Sequence, residues 1–204
     1  NNTEYSKRES IYYDNLNYIQ KSNSNTTKTY KLGINNFTDM THDEFSQLYL
    51  NLKINTRKKH MRKSVYTGKK SKIIHHHHHN NSIPLNMDWR ASGVVTDVKN
   101  QGQCGSCWAF SAVGAIEGQH ALHKSQLVSL SEQNLVDCAF NYSCEGCNGG
   151  FPDDAMRYVE NNGGIDTEDS YGYIGSDGDC HYNKSTIGAS VSEVVNLPNG
   201  SMID

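Results

Sequence analysis

The sequence has no run of about 18 apolar residues, so no segment of it reads as a membrane-spanning helix. It has no initiator Met and no apolar signal-peptide core behind its opening Asn1-Asn2-Thr3, so a signal segment is not among these residues. Cysteine is absent before position 104; all six lie between 104 and 180, a clustering that means a disulfide framework, a metal site or catalysis. The first of these implies an oxidising compartment. Acid is absent from Lys53 to Lys72, where nine Lys and Arg residues accumulate. That stretch has one aromatic, Tyr66, too few to stack bases, which weighs against a nucleic-acid patch. A solvated linker, or an arm lying on an acidic part of the same chain, are the other readings.

What is present is enough for one or two domains with a real core, 204 residues in all. The net charge of −3 conceals two unlike parts. Residues 1–82 carry 14 Lys and Arg against 6 Asp and Glu, and residues 83–204 carry 5 against 16. In the first part, Tyr5, Ile11, Tyr12, Leu16, Tyr18 and Ile19 give residues 1–22 an imperfect helical stripe, broken by "SNSNTT". Residues 30–40 read as a short strand with a turn at Gly33. Thr41 with Glu44 forms a capping-box pattern for a helix carrying Phe45 and Leu48. From 53 to 82 no periodicity is visible, and the stretch holds five consecutive histidines, His75 to His79, read as a low-complexity tract or as a metal-binding run.

The second part is more compact. Residues 108–124 read as a helix apolar on most faces and therefore buried. "LSEQNLVDC" is a short helix capped by Ser129 or Ser131. Residues 151–164 form a third, with Pro152 in its first turn, Ala155, Met156 and Val159 on one face, and Gly163 at its end. Residues 188–198 read as a strand opening a different layer.

Two cysteine pairs, Cys104 with Cys107 and Cys144 with Cys147, admit three readings. A zinc ribbon is disfavoured because 36 residues separate the pairs, against roughly 15–20 in ribbons, and they read as helix. A thioredoxin-like couple needs a buried strand before the helix, and "SGVVTDVKNQGQ" is polar and broken by glycine. The third reading makes Cys107 a nucleophile. It sits where the long helix starts, and a thiolate there is stabilised by unpaired backbone N–H groups and the positive end of the helix dipole. Gln101, six residues earlier, supplies a side-chain N–H that with the Cys107 amide makes a two-donor oxyanion hole.

Here a resemblance becomes specific. "CGSCW" at 104–108 fits the pattern C-G-[SA]-C-[WY] of the papain and cathepsin cysteine proteases. "MDWR" at 87–90, "LSEQNLVDC" at 130–138, "GCNGG" at 146–150 and "NNGGIDTEDSY" at 161–171 resemble further landmarks of that family. Independently, Glu4, Arg8, Tyr12, Asn15, Ile19 and Asn23 match its prosegment pattern, with Tyr12 replacing Phe. Gly33, Asn35, Phe37 and Asp39 match a second one.

The resemblance implies a papain-like α+β fold: a helical prodomain, a mainly helical left domain and the start of a β-rich right domain. Residues 1–82 would be an inhibitory propeptide, with a helical prodomain over 1–52 and an extended basic and His-rich linker over 53–82. Residues 83–204 would be the N-terminal part of the peptidase domain. It implies an endopeptidase zymogen of the cathepsin L-like branch, in which Cys107 attacks the peptide carbonyl and Gln101 helps hold the oxyanion. Gly149 and Gly150 would present backbone to an extended substrate, and Phe151, Pro152 and Met156 would line a side-chain pocket or simply pack the helix. Trp108 would pack rather than touch substrate. Disulfides Cys104–Cys147 and Cys138–Cys180 follow by family analogy. Cys144 is left over, either as a lone surface thiol or as a rival of Cys147 for Cys104. Gly172 departs from a frequent proline. The prosegment would run through the cleft opposite to substrate and be released by cleavage between Asn81 and Ile83, leaving Pro84 near the new terminus. The implied partners are protein or peptide substrates and the chain's own prosegment, with no cofactor, metal, nucleic acid or membrane, in a monomer of the lysosomal or secretory route. Seven N-x-[ST] sequons, at Asn1, Asn25, Asn36, Asn80, Asn141, Asn183 and Asn199, are consistent with that route.

Cysteine attack needs a base, which in this family lies roughly 130–150 residues after the nucleophile. Only 97 residues follow Cys107, and the last histidine, His181, stands beside Cys180 in a loop. The expectation is therefore a chain truncated before its catalytic His and Asn. The alternative is a non-catalytic inhibitor or binder of cysteine proteases built from a prosegment and half a domain; the intact Cys107 and Gln101 speak against it.

Overall fold

A computed structural model describes residues 2–50 and 86–196. The basic stretch 53–72, His75–His79, the expected release site at 81–83 with Pro84, and the sequons at Asn1, Asn80 and Asn199 lie outside the described residues.

In the first described segment, helix α1 (Asn2–Ser24) is followed by a loop and by helix α2 (His42–Tyr49). The capping box at α2 forms: Thr41 Oγ1 accepts from the Glu44 amide, and the Glu44 carboxylate accepts from the Thr41 amide. The strand expected over 30–40 does not form. Its backbone is satisfied by side chains of α1 and by turns within the loop itself, where Asn35 and Thr38 bond nearby amides. Asn23 pairs with Leu32 through both amide atoms, donating to its carbonyl and accepting from its N–H at 2.8 Å each. Asn15 Nδ2 donates to the carbonyls of Thr38 and Met40. Arg8 donates to the Asp39 carbonyl and forks onto both oxygens of Glu44, which also accepts from Lys7. Phe37, Phe45 and Tyr49 stack and meet edge to face, closing the loop over α2. The widely spaced residues of the prosegment pattern are thus the side chains that clamp a loop to a helix.

The second segment is built on helix α3 (Cys107–Lys124). Helix α4 (Glu132–Cys138) and helix α5 (Pro152–Asn162) pack on it. Trp108, Ala109, Ala112, Val113, Ile116 and Ala121 of α3 are buried with Leu135 and Val136 of α4 and Ala155, Tyr158 and Val159 of α5. Each fully buried Val or Leu contributes about 1.5–3 kcal/mol. Contrary to expectation, α3 is not buried on most faces: Cys107, Ser111, Gly114, Ala115, Gln119 and Leu122 are exposed, a stripe down one side. Apart from Leu122 the stripe carries small or polar side chains, which gain little from burial. Ser131 caps α4, accepting from the Asn134 amide, and Gly163 ends α5 at φ 82°.

Strand β1 (Ile165–Asp166) pairs antiparallel with β2 (Ile187–Ala189). The strand expected over 188–198 is therefore only its first residues, and residues 190–196 take no strand conformation. Nor does it open a different layer, because Ala189 is buried in the same core as Ile165.

One polar cluster sits inside this core. Glu117 on α3 is 2% exposed. Its carboxylate accepts from Lys99, Thr96 and the Leu130 amide. Lys99 also donates to Glu132, equally buried, and to the Leu130 carbonyl. Burial alone would lower the lysine pKa, but hydrogen bonds to the two carboxylates reverse this and raise it.

Removing Lys99 leaves two buried carboxylates around one lost cation. Lys99→Met is expected to cost about 3–5 kcal/mol, the range for breaking a buried ion pair, seen as a lower urea midpoint of the whole chain; an unchanged midpoint refutes the bridging role. In the N-terminal segment the test is acid. Hydrogen bonding from Lys7, the Thr41 backbone and Arg8 holds the Glu44 carboxyl down at about 2. An unfolded glutamate titrates near 4.3, so the contribution of Glu44 is complete above about pH 4.3 and is lost as pH falls through about 2. Amides of α2 should exchange faster in Glu44→Gln than in the native chain at pH 6, with the gap closing towards pH 2. A gap that persists there contradicts the ion-pair account.

Candidate active site

The loop Gln101–Ser106 and the turn 146–150 are bound together at three points. Cys104 is disulfide-bonded to Cys147. The Gly105 amide donates to the Cys147 carbonyl at 2.9 Å, and a Cβ on Gly105 would strike that carbonyl. The Trp108 indole donates to the Gly146 carbonyl at 3.1 Å, and its ring lies where a Cβ on Gly150 would fall, 2.7 Å away. Glycine is required at both positions by close approach, not by an unusual φ. Trp108 is 2% exposed, as its packing role demands. From the far side, Asp177 accepts from the Cys147 amide at 2.6 Å. A second disulfide, Cys138–Cys180, ties the segment carrying Asp177 to α4.

These ties present Cys107 as the first residue of α3, exposed and unpaired. Ser106 occupies the N-cap position but its side chain caps nothing. Hydrogen bonding at this end begins with the Ala109 and Phe110 amides, both onto the Ser106 carbonyl. The Cys107 amide is therefore among the helix donors left for an incoming group. Gln101 Nε2 donates to the Cys104 carbonyl at 2.8 Å, which orients the carboxamide and leaves its second N–H.

The expected substrate wall is distributed unevenly. Gly149 is buried, and both its backbone groups serve its own turn: its N–H donates to Gly146 and its carbonyl accepts from Glu145. Gly150, Phe151 and Pro152 follow in sequence at the start of α5, with Phe151 52% exposed. Met156 packs against the core.

Cys144 is not a surface thiol. It is 1% exposed, inside the cluster that holds Ala155 and Tyr158, and burial pushes its pKa up to about 12. Nor does it compete for Cys104, which Cys147 already holds. His181 is exposed, with its backbone N–H on the Tyr171 hydroxyl and its ring tilted against that ring. No histidine among the described residues hydrogen-bonds to Cys107. Ser106, Tyr173 and Asp177, which shape this site, were not singled out in the sequence; their partners lie 30 to 72 positions away or depend on a diverted hydroxyl.

The fold and the exposed thiol at a helix start place the protein in the papain-like class. A model of the papain family of cysteine proteases matches residues 83–203, and one of the cathepsin propeptide inhibitor domain matches residues 1–45. The chain is 46% identical to cathepsin L of Sarcophaga peregrina over 203 residues, covering 98% of this chain and 59% of that protein. It is 44% identical to digestive cysteine proteinase 1 of Homarus americanus over 198 residues, covering 95% and 58%. Digestive procathepsin L 3 of the Tenebrio molitor larval midgut superposes with a TM-score of 0.73 at 34% identity, covering 98% of this chain and 62% of that one. The chain belongs to the papain family of cysteine proteases, on its cathepsin L-like branch, and it spans between about half and three fifths of the length of the curated relatives it matches.

The two free thiols should separate cleanly. Iodoacetamide at pH 8 is expected to label Cys107 alone in the native chain and Cys144 only after unfolding without reduction, read by peptide mass mapping. Native labelling of Cys144 at a comparable rate would show that its enclosure is not maintained in solution.

Proposed function

We propose that this chain is part of the precursor of a cysteine endopeptidase that hydrolyses peptide bonds in proteins. The observation that carries the reading is Cys107: an exposed thiol on the first residue of α3, with the adjacent helix amide uncapped. Its sulfur attacks the carbonyl carbon of the scissile bond. The oxygen that gains charge accepts from the Cys107 amide and the second N–H of Gln101. Collapse expels the amine and leaves a thioester, which water hydrolyses. Gly150, Phe151 and Pro152 form the wall along which the substrate lies, with Met156 packed behind it and Gly149 shaping the turn.

The attack needs a base and the departing amine a proton. We place the histidine and asparagine for this in the part of the relatives' length that the chain does not span. Residues 1–82 act as the intramolecular inhibitor, an assignment supported by the propeptide-domain match over residues 1–45. The protein acts as a monomer in a lysosomal or secreted setting, in keeping with its two disulfides.

In the complete protein after maturation, Cys107→Ala should abolish hydrolysis of a fluorogenic peptide and leave the unfolding midpoint nearly unchanged. Gln101→Ala should lower turnover by roughly 10²–10³, the loss expected for one oxyanion donor. Hydrolysis retained without the Cys107 thiol rules out the assignment.

A further inference from the structure

The Tyr173 hydroxyl lies 2.8 Å from the Gln101 carbonyl oxygen and 2.7 Å from Ser106 Oγ. A carbonyl only accepts, so the single phenolic proton goes to Gln101, and the Ser106 hydroxyl must donate to the tyrosine. One atom thereby holds both ends of the loop 101–106: the residue whose carboxamide is one proposed oxyanion donor, and the residue directly before the amide that is the other. The tyrosine is itself anchored. Its ring meets Phe110 of α3 edge to face at 4.9 Å, and its amide donates to Glu168 at 2.9 Å. The same bond explains why Ser106 caps nothing. A serine at a helix N-cap ordinarily accepts from the second or third amide of the helix. Here its hydroxyl is turned to Tyr173, and its backbone, at φ −96° and ψ 16°, is not the extended one of a capping residue.

We infer that Tyr173 is a positioning residue of the active site: its hydroxyl sets the spacing between Gln101 and the start of α3, and keeps Ser106 from closing over the helix end. The inference rests on the proposed peptidase reading. The hydrogen bonds and ring contact of Tyr173 go to Gln101, Ser106, Glu168 and Phe110, so its effect falls on the geometry of the transition state and not on substrate affinity.

The test uses the complete matured enzyme and the variants Tyr173→Phe, Ser106→Ala and both together. Tyr173→Phe should lower kcat about tenfold, since misplacement of reacting groups by an ångström costs up to about 10², with KM within about twofold. The double variant should be no slower than Tyr173→Phe alone, because the two hydroxyls share one bond. Alkylation of Cys107 by iodoacetamide forms no oxyanion, so its rate should be unchanged in every variant. Full kcat in Tyr173→Phe, an effect confined to KM, additive losses in the double variant, or alkylation that falls in step with hydrolysis would each overturn the inference. If the unmodified enzyme shows no hydrolysis that depends on Cys107, the peptidase reading fails first and takes this one with it. If it does, and Ser106→Ala and Tyr173→Phe both match it, this inference alone fails.

Discussion

The whole site depends on the stitching of one loop to one turn. The disulfide Cys104–Cys147 brings the chains together, but a single covalent tie leaves a hinge. The Gly105 amide on the Cys147 carbonyl and the Trp108 indole on the Gly146 carbonyl remove that freedom, and both need glycine beside them. With the loop held, Cys107 has one place to be, at the start of α3 and open to solvent. The turn has one place too, and α5 begins where it ends. An exposed thiol at a helix start and the turn that leads into α5, some 45 positions apart in sequence, are thus joined through backbone carbonyls and an indole.

Carboxylates organise both described segments, under opposite conditions. Glu44 gathers Lys7, Arg8 and the Thr41 amide near the surface, where water shares the charge and acid can release it. Glu117 and Glu132, themselves buried, gather the partly exposed Lys99 at the edge of the core, where the carboxylates depend on protein donors. The first arrangement loosens as pH falls through about 2; the second ties α3 and the start of α4 together through one lysine. The same residue type thus serves both segments at different depths.

Much of this was readable in order along the chain. Caps announce themselves because donor and acceptor lie within four residues: Thr41 with Glu44, and Gly163 at the end of α5, while for α4 the sequence offered Ser129 or Ser131 and the structure uses Ser131. The loop and the helix start at Cys107 were readable because a thiol, a small-residue turn and a run of helix formers stand in immediate succession. Residues 30–40 look extended in sequence, but a strand-like stretch does not say what satisfies its backbone, and here Asn15 and Asn23 of α1 do so together with Asn35 and Thr38 of the loop. Residues 188–198 misled for a related reason. A β-branched run suggests a strand, but β1 offers only two residues to pair with.

The sequence by itself determined the family, the order of the helices and the placing of Cys107 at a helix start, because each of those is written in residue types at short or regular spacing. Only the tertiary structure decided that Cys144 is enclosed, that α3 leaves a stripe open beside Cys107, and that Ser106 turns its hydroxyl from its own helix to Tyr173, 67 positions away. The reason is common to all three. Burial and a choice between competing hydrogen bonds are set by which distant groups arrive at a site, and nothing local in the chain records that arrival.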